Sequence, residues 1–442
     1  MKPVLFALLA LFMPAAVFAQ IHDSVATYNV TWSSPGTNEN DSMPIGNGDV
    51  TANVWTETNG DLVLLVAKSD ALSEWGKFVK LGRVRVQLSP NPFTGTTDFT
   101  QTLHLENGSI EIKNGDNRLQ IWVDANHPVI RIEASLVKAA TLSAKLELWR
   151  TTKPDLGGMF ELGGHFPIET AADTVFPASG NQLTWCHFNP SSVYPTVMAQ
   201  EHLESLTQKY PDPLLHRCFG AALAGSDLTN INDHTLQSSM PGRYFQLTLT
   251  ALTETSAVSP QTWQNHLQTL VEKNSHLTLR QLRAYHEEWW HDFWDRSWLQ
   301  VTGTPEAERV TQGYLMQRYM VAASSRGALP AKFNGGLFTV GHDLPDGQES
   351  KNEDHSPDYR AWGNSYWNQN NRLLYWPLLA TGDFDLIQPW FALYMNALPF
   401  AEDRTRLYFH HDGASFPETM LFWGVPNLTD FGWNNPTTEL RS

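Results

Sequence analysis

Apolar and polar residues alternate with a period of two from about residue 25 to residue 255. In residues 82–88 every second side chain is apolar, which is typical of a strand with one buried face. The pairs Asn107-Gly108 and Asn114-Gly115 favour hairpin turns, because Asn-Gly readily adopts positive φ angles. Further strands are predicted at residues 129–134, 142–149 and 245–251. So much antiparallel strand predicts a large two-sheet β-sandwich.

The pattern changes to helical spacing near Ser259. Ser259 can cap a helix that has Pro260 in its first turn. Between residues 277 and 298 apolar residues recur every three or four positions, and tryptophans form a second stripe at positions 290, 294 and 298. A helix so rich in indole rings predicts a linker wedged between two domains. Another helix is predicted from Thr304 and ends before Gly327, and helical segments with long aromatic and acidic loops follow.

The first residues of the chain have the organisation of a secretory signal peptide. An apolar stretch at residues 4–12 follows Lys2, and small residues precede Gln20. We therefore predict a signal peptide at residues 1–19 and a bacterial protein that is secreted or periplasmic. The mature chain is predicted to contain a β-sandwich at 20–258, a helical linker at 259–303 and a helical domain at 304–442. No later apolar run approaches the length of a membrane span.

Composition narrows the possible partners. The chain has 30 Lys and Arg against 46 Asp and Glu, a net charge of -16, so it lacks the basic balance of a nucleic-acid-binding protein. The 17 tryptophans fit either large sandwich cores or platforms on which sugar rings stack. Cys186 and Cys218 allow one disulfide at most, and both the bridged and the free state stay open. The sequence gives no indication of an oligomeric state.

Two stretches resemble glycoside hydrolase family 95 and its secreted bacterial relatives. Residues 43–49 (MPIGNGD) are similar to the signature that opens the family's N-terminal sandwich, and residues 368–377 (NQNNRLLYWP) to its Asn-x-Asn stretch ending in Tyr-Trp-Pro. The order of sandwich, helical linker and helical domain also matches. The resemblance implies an inverting glycoside hydrolase whose catalytic domain is an (α/α)6 barrel. Residues 304–442 are too few for twelve helices, so we expect only the start of that barrel here.

Glycoside hydrolysis requires a proton-donating acid and a second carboxylate. Glu418 is predicted to be the acid, because its aromatic and apolar neighbours in sequence would favour the neutral form of the carboxyl group. Asp358 is predicted to be the second, charged carboxylate, with Arg360 two residues away. The alternatives are that Glu418 occupies the first turn of a helix and that the acidic stretch 342–358 is a solvated loop.

The resemblance implies that Asn368 and Asn370 position water or substrate. Because residues two apart point to different sides of a helix, both face one site only from a loop or an irregular first turn. We therefore expect the helix that follows to begin near Leu373. The alternative is that these amides cap that helix.

A carbohydrate substrate would be bound by the aromatic, cationic and imidazole side chains around this stretch. These candidates are Trp362, Tyr366, Trp367, Arg372, Trp376, His410 and His411. Trp362, Trp367 and Trp376 are predicted to line the pocket of an exo-acting enzyme. Adjacent histidines diverge and a third ligand is missing, so neither a metal nor a cofactor is predicted. Two other classes stay open: a polysaccharide lyase using Tyr366, Asn368 and His410, and a non-catalytic glycan-binding protein.

Overall fold

The computed structural model describes residues 24–95, 97–151, 170–274, 276–333, 336–341, 356–358 and 365–426. The predicted signal peptide and Trp362 lie outside these ranges. The described strands are β1 (Val30–Trp32), β2 (Met43–Gly46), β3 (Val50–Thr56), β4 (Leu62–Leu72), β5 (Phe78–Ser89), β6 (Phe99–His104), β7 (Ser109–Asn114), β8 (Asn117–Val123), β9 (Val129–Glu147), β10 (Thr174–Val175), β11 (Gln182–Phe188), β12 (Cys218–Gly225), β13 (Leu228–Asn232), β14 (Thr235–Ser238), β15 (Gly242–Glu254), β16 (Tyr366–Trp367) and β17 (Thr419–Met420).

Helices dominate the chain after strand β15. The described α-helices are α1 (Tyr194–Gln200), α2 (Pro260–Asn274), α3 (Leu279–Asp295), α4 (Pro305–Ser324), α5 (Asn368–Thr381) and α6 (Phe384–Phe409). The change from strands to helices thus falls between Glu254 and Pro260. A large antiparallel β domain followed by helices is the predicted fold class at this level. The (α/α)6 barrel stays a prediction. Among the described helices, none combines the length and apolar character needed to cross a membrane.

Strand β9 connects the two layers of the β domain. Its residues 129–135 pair with β8 and β15, in the layer ordered β1-β6-β7-β8-β9-β15-β12-β11-β10. Its residues 141–147 pair with β5 and β14, in the layer that also holds β2, β3, β4 and β13. The sequence predicted two strands here. They are one strand, because the intervening residues contain neither glycine nor proline to form a turn.

The predicted meander is confirmed at both Asn-Gly pairs. Gly108 (φ +60°) lies in the turn between β6 and β7, and Gly115 (φ +57°) lies between β7 and β8. Both turns connect antiparallel neighbours, in the registers Leu103↔Ile110 and Ile112↔Leu119. Gly108 has a second constraint, since a Cβ atom there would lie 2.3 Å from the ring of Trp290.

Helix α3 packs between the β domain and helix α4. Thr278 and Gln281 form a capping box at its N-terminus. Trp294 Nε1 donates a hydrogen bond to the Leu105 carbonyl (2.9 Å) on the β domain side. On the other side Trp290 stacks on Tyr319 of α4, with 5.4 Å between ring centroids. The buried aromatic side chains therefore join the two parts of the molecule.

Residues 43–49 form a second contact between the β domain and α4. Tyr319 donates its hydroxyl to the Pro44 carbonyl (2.8 Å). The Gly48 N–H bonds the Ala323 carbonyl (2.9 Å), and a Cβ atom at Gly46 would lie only 2.2 Å from that same oxygen. The two glycines therefore permit a backbone approach that no other residue allows. In this structure one segment that carries the family resemblance joins the β domain to helix α4.

Candidate active site

Strands β16 and β17 bring the asparagine stretch and Glu418 together. Tyr366 pairs with Met420 and Trp367 with Thr419, and helix α5 begins at the next residue, Asn368. The Asn368 N–H donates a hydrogen bond to the carbonyl oxygen of Glu418 (3.0 Å). Two predicted site residues fifty positions apart in sequence are therefore neighbours. We call these two residues the Asn368–Glu418 surface.

The asparagines lie inside α5, and the expectation that this helix begins near Leu373 is wrong. The helix starts at Asn368, because the strand pair fixes the backbone there and Glu418 accepts the first free N–H. Trp367 occupies the N-cap position without a side-chain cap, so Asn368 and Asn370 do not cap the helix. Asn368 is exposed and Asn370 half-buried, consistent with two positions that diverge around a helix.

The buried amide of this stretch is Asn371, which the sequence did not single out. Its Nδ2 donates to the Ala331 carbonyl (3.2 Å), and its Oδ1 accepts from the Phe333 N–H (3.0 Å). Asn371 therefore holds the chain that follows α4 against α5. The available signal was its spacing of four from Tyr375, another buried residue of the same helix face.

The environment of Glu418 differs from the expected one. Its side chain is exposed, because Thr419 and Met420 rather than Glu418 turn into the core. The aromatic residues nearby in sequence therefore do not bury it. A carboxyl group in this position can reach a molecule in solution, as a proton donor must.

Asp358 is buried and fully engaged elsewhere. Its carboxylate accepts hydrogen bonds from the Lys80 N–H (2.7 Å), Trp149 Nε1 (2.6 Å) and Arg150 Nη1 (2.5 Å). Burial alone would raise the pKa of Asp358, but Arg150 and the two other donors lower it below the usual value. Asp358 is therefore charged, its ion-pair partner is Arg150, and its oxygens accept hydrogen bonds from protein groups.

The charge network around Asp358 extends to a buried histidine. Arg150 Nε also binds Asp173 Oδ1 (3.0 Å), which lies 2.9 Å from His187 Nδ1, and His187 Nε2 lies 3.2 Å from Glu74 Oε2. Burial disfavours the imidazolium, but Glu74 and Asp173 raise the pKa of His187 to about 9. The sequence reasoning missed this network. Its signal was polar residues inside apolar strands, such as His187 in β11.

The predicted sugar-binding aromatic residues do not share one environment. Tyr366 is buried, burial raises its pKa well above the usual value, and the Lys332 Nζ lies 4.6 Å from its ring. Trp367 is half-buried. Trp376 is 60% exposed and carries the Arg372 guanidinium 5.4 Å from its ring centre. Trp376 and Arg372 therefore present a stacked pair to solvent on α5.

The two histidines follow the C-terminus of α6. His410 is exposed in the left-handed conformation (φ 57°) that ends the helix. His411 is also exposed, and its Nδ1 donates to the Asp412 carbonyl (2.8 Å). Within the described part of the chain, no group of three or more His, Cys, Asp or Glu residues could hold a metal ion.

A family comparison classifies the chain. Residues 31–299, from strand β1 through helix α3, match the model DUF5703_N, described as a domain of unknown function (DUF5703). The chain belongs to this family. No curated protein matches the DUF5703 chain in sequence. Membership in glycoside hydrolase family 95 is not shown, so the likeness of residues 43–49 and 368–377 to that family stays a resemblance.

Solved structures show what fold the DUF5703 chain shares. A protein from the human microbiome, proposed to be a kojibiose phosphorylase, aligns with a TM-score of 0.50 and 11% identity over 90% of this chain. The chain spans about half (52%) of that protein. The alignment with a GH92 family glycosyl hydrolase covers 72% of this chain and 43% of the hydrolase, with a TM-score of 0.35 and 10% identity. The alignment with a GH92 α-mannosidase from Bacteroides thetaiotaomicron covers 70% of this chain and 41% of the mannosidase, with a TM-score of 0.31 and 10% identity. Of these three alignments, only the one with the human microbiome protein has a TM-score high enough to indicate a common fold.

Proposed function

We propose that this protein is a secreted carbohydrate-active enzyme that acts on glycosidic bonds. The reaction we favour is inverting hydrolysis of glycan side chains or oligosaccharides. The fold shared with a protein proposed to be a kojibiose phosphorylase supports the general class. The resemblance of residues 43–49 and 368–377 to glycoside hydrolase family 95 supports hydrolysis.

The observation that carries the proposal is the Asn368–Glu418 surface. A backbone hydrogen bond of 3.0 Å holds the two residues side by side, and both side chains are exposed. A carboxyl group that protonates a leaving oxygen must reach the substrate, and an adjacent amide can hydrogen-bond a sugar hydroxyl or a water. We therefore propose that Glu418 is the proton donor and that Asn368 helps to position substrate.

For the other predicted site residues, we assign substrate contact to accessible side chains and a structural role to buried ones. Trp376 and Arg372, which are stacked and accessible, are proposed to contact sugar, as are His410 and His411. Asp358 is buried and paired with Arg150, so we propose that it stabilises the fold around the site and does not contact substrate. The lyase alternative loses its support because it needs the Tyr366 hydroxyl at the substrate, and Tyr366 is buried.

The test compares Glu418→Gln with Glu402→Gln, an exposed carboxylate of α6, in the full-length protein. Removing a general acid lowers the rate about 10²–10⁴-fold on a natural oligosaccharide. An activated aryl glycoside needs little protonation, so its loss should be much smaller. Glu402→Gln should match the wild type on both substrates. Equal losses on the two substrates would reject Glu418 as the acid. Glycan binding without release of reducing sugar from any substrate would favour a binding protein.

Export is proposed from the signal-peptide pattern of residues 1–19. Expression of the complete gene in a bacterium should give a periplasmic or secreted protein whose N-terminus is near Gln20. N-terminal sequencing of each cell fraction checks this, and an intact N-terminus on cytoplasmic protein would contradict it.

A further inference from the structure

A cavity of about 360 Å³ lies between the β domain and the helices. On the β domain side its walls include Asp70 of β4 and Arg217, which precedes β12. On the helical side they include Phe400 of α6 and the Phe422-Trp423 pair that follows β17. Rim residues such as Thr255 and Asn396 are exposed, so the cavity opens to solvent there. Its volume and its position between domains are typical of small-molecule sites.

Arg217 places a buried cation in the wall. Its residue surface is only 4% exposed, and its guanidinium donates to the carbonyl oxygens of Asp70 (3.0 Å) and Pro213 (3.1 Å). Within the described residues these hydrogen bonds go to backbone oxygens rather than to a carboxylate. Burial lowers the pKa of Arg217, and the nearby Asp70 carboxylate only partly offsets this. The position of the guanidinium is therefore fixed, but its charge is not directly paired.

Asp70 places an ionised carboxylate in the same wall. Its Oδ1 accepts a hydrogen bond from Lys68 Nζ (2.7 Å), and Lys68 also binds Asp49 (3.0 Å). Burial would raise the pKa of Asp70, but Lys68 and Arg217 lower it below the usual value. Since Arg217 also bonds the backbone carbonyl of Asp70, a negative and a positive group adjoin one another at the cavity.

Aromatic rings form the facing walls. Trp423 lies 5.9 Å from Tyr194 and 5.1 Å from Phe422, measured between ring centroids. The cavity therefore combines flat apolar faces with one cationic donor, Arg217, and one anionic acceptor, Asp70.

This combination selects among ligand classes. A purely apolar ligand would shield the charged groups of Asp70 and Arg217 from water without offering them a further hydrogen bond. Because one carboxylate and one guanidinium adjoin each other in the wall, their attraction and repulsion of a charged ligand largely cancel, so neither an anion nor a cation is favoured. A neutral sugar meets both requirements, because each hydroxyl both donates and accepts, and the C–H faces of the ring stack on indole.

We propose that this cavity binds one neutral pyranose unit, with Asp70 accepting and Arg217 donating hydrogen bonds while Trp423 packs on the sugar ring. The proposal rests on the proposed function only for the class of ligand, and it requires no catalysis. The proposed cavity site is separate from the sugar contacts proposed at the Asn368–Glu418 surface. Strand β17 lies between the two sites in sequence, because Glu418 precedes this strand and Phe422 follows it.

Isothermal titration of the full chain tests the proposal. The probes are the methyl pyranosides of glucose, mannose, galactose and fucose, with methyl glucuronide as the anionic and glucosamine as the cationic analogue. We expect saturable binding of at least one neutral glycoside and weaker binding of both charged sugars. Arg217→Met should weaken that binding about 10–100-fold, the effect of losing a hydrogen bond to a charged group. Arg131→Met, a buried arginine over the Trp122 ring in the β domain, is the matched control and should bind normally.

A second pair of variants covers the case in which Arg217→Met fails to fold. Trp423→Leu removes a half-buried ring from the cavity, and Trp32→Leu removes a half-buried ring from edge strand β1. Only the former should reduce binding. The proposal is overturned if no neutral glycoside binds, if a charged sugar binds best, or if each variant and its control behave alike. Hydrolysis without cavity binding would reject this proposal alone, and cavity binding without hydrolysis would reject only the proposed reaction.

Discussion

The buried imidazole of His187 should make the stability of the β domain depend on pH. Its side chain is fully buried between the carboxylates of Glu74 and Asp173. These raise its pKa from 6.5 in the unfolded chain to about 9 in the folded protein. The variant His187→Gln keeps a polar side chain but cannot titrate, so the difference between wild type and variant isolates this one group.

The magnitude follows from the size of the pKa shift. The difference between a pKa of 6.5 and one of about 9 corresponds to about 3 kcal/mol of folding free energy. Because the folded pKa is the higher one, this stabilisation is fully present below pH 6.5, where both states bind the proton. It decreases as the pH rises from 6.5 to 9 and is lost above pH 9. The advantage of wild type over His187→Gln should therefore fall by about 3 kcal/mol across that range.

Urea unfolding at several pH values between 5.5 and 10, followed by tryptophan fluorescence, measures this difference. His266, whose side chain is 58% exposed beside Glu254, provides the control, and His266→Gln should change the free energy of unfolding by less than about 1 kcal/mol. A difference between wild type and His187→Gln that stays constant with pH would show that His187 does not titrate in this window. A difference that grows with pH would refute the assigned sign.

Three further substitutions test contacts that stabilise the fold. Asp358→Asn removes one partner of a buried ion pair and should destabilise the protein by about 3 kcal/mol in urea unfolding, whereas Glu306→Gln, in an exposed pair, should cost less than about 1 kcal/mol. Gly46→Ala drives a Cβ atom against the Ala323 carbonyl and should lower stability by about 1–3 kcal/mol, with loss of protection from hydrogen exchange in α4; normal stability would contradict the close contact. Thr278→Ala removes the cap of α3 and should cost about 1 kcal/mol, detectable as a lower thermal midpoint; an unchanged midpoint would reject the cap's contribution.

Local features of the sequence determined the secondary structure and its order. The alternation in residues 82–88 marks strand β5, and the Asn-Gly pairs mark hairpin turns because their positive φ angles are a property of the residues themselves. Ser259-Pro260 marks the first helix after the β domain, because the fixed φ angle of proline suits the first turn of a helix. The tryptophans of α3 identified a helix buried on two sides, since such large apolar surfaces must be covered.

Tertiary structure decided the environment of each candidate site residue. Thr419 and Met420 of β17 turn into the core while Glu418, just before that strand, is exposed, and the pairing of β17 with β16 fixes this arrangement. Asp358 is paired with Arg150, more than two hundred residues away, and no local pattern indicates that partner. The interface cavity likewise joins Asp70, Arg217 and Trp423 from three distant segments. Burial and charge pairing arise between segments, so the sequence identified residue types capable of chemistry, and only the folded chain decided which of them are accessible.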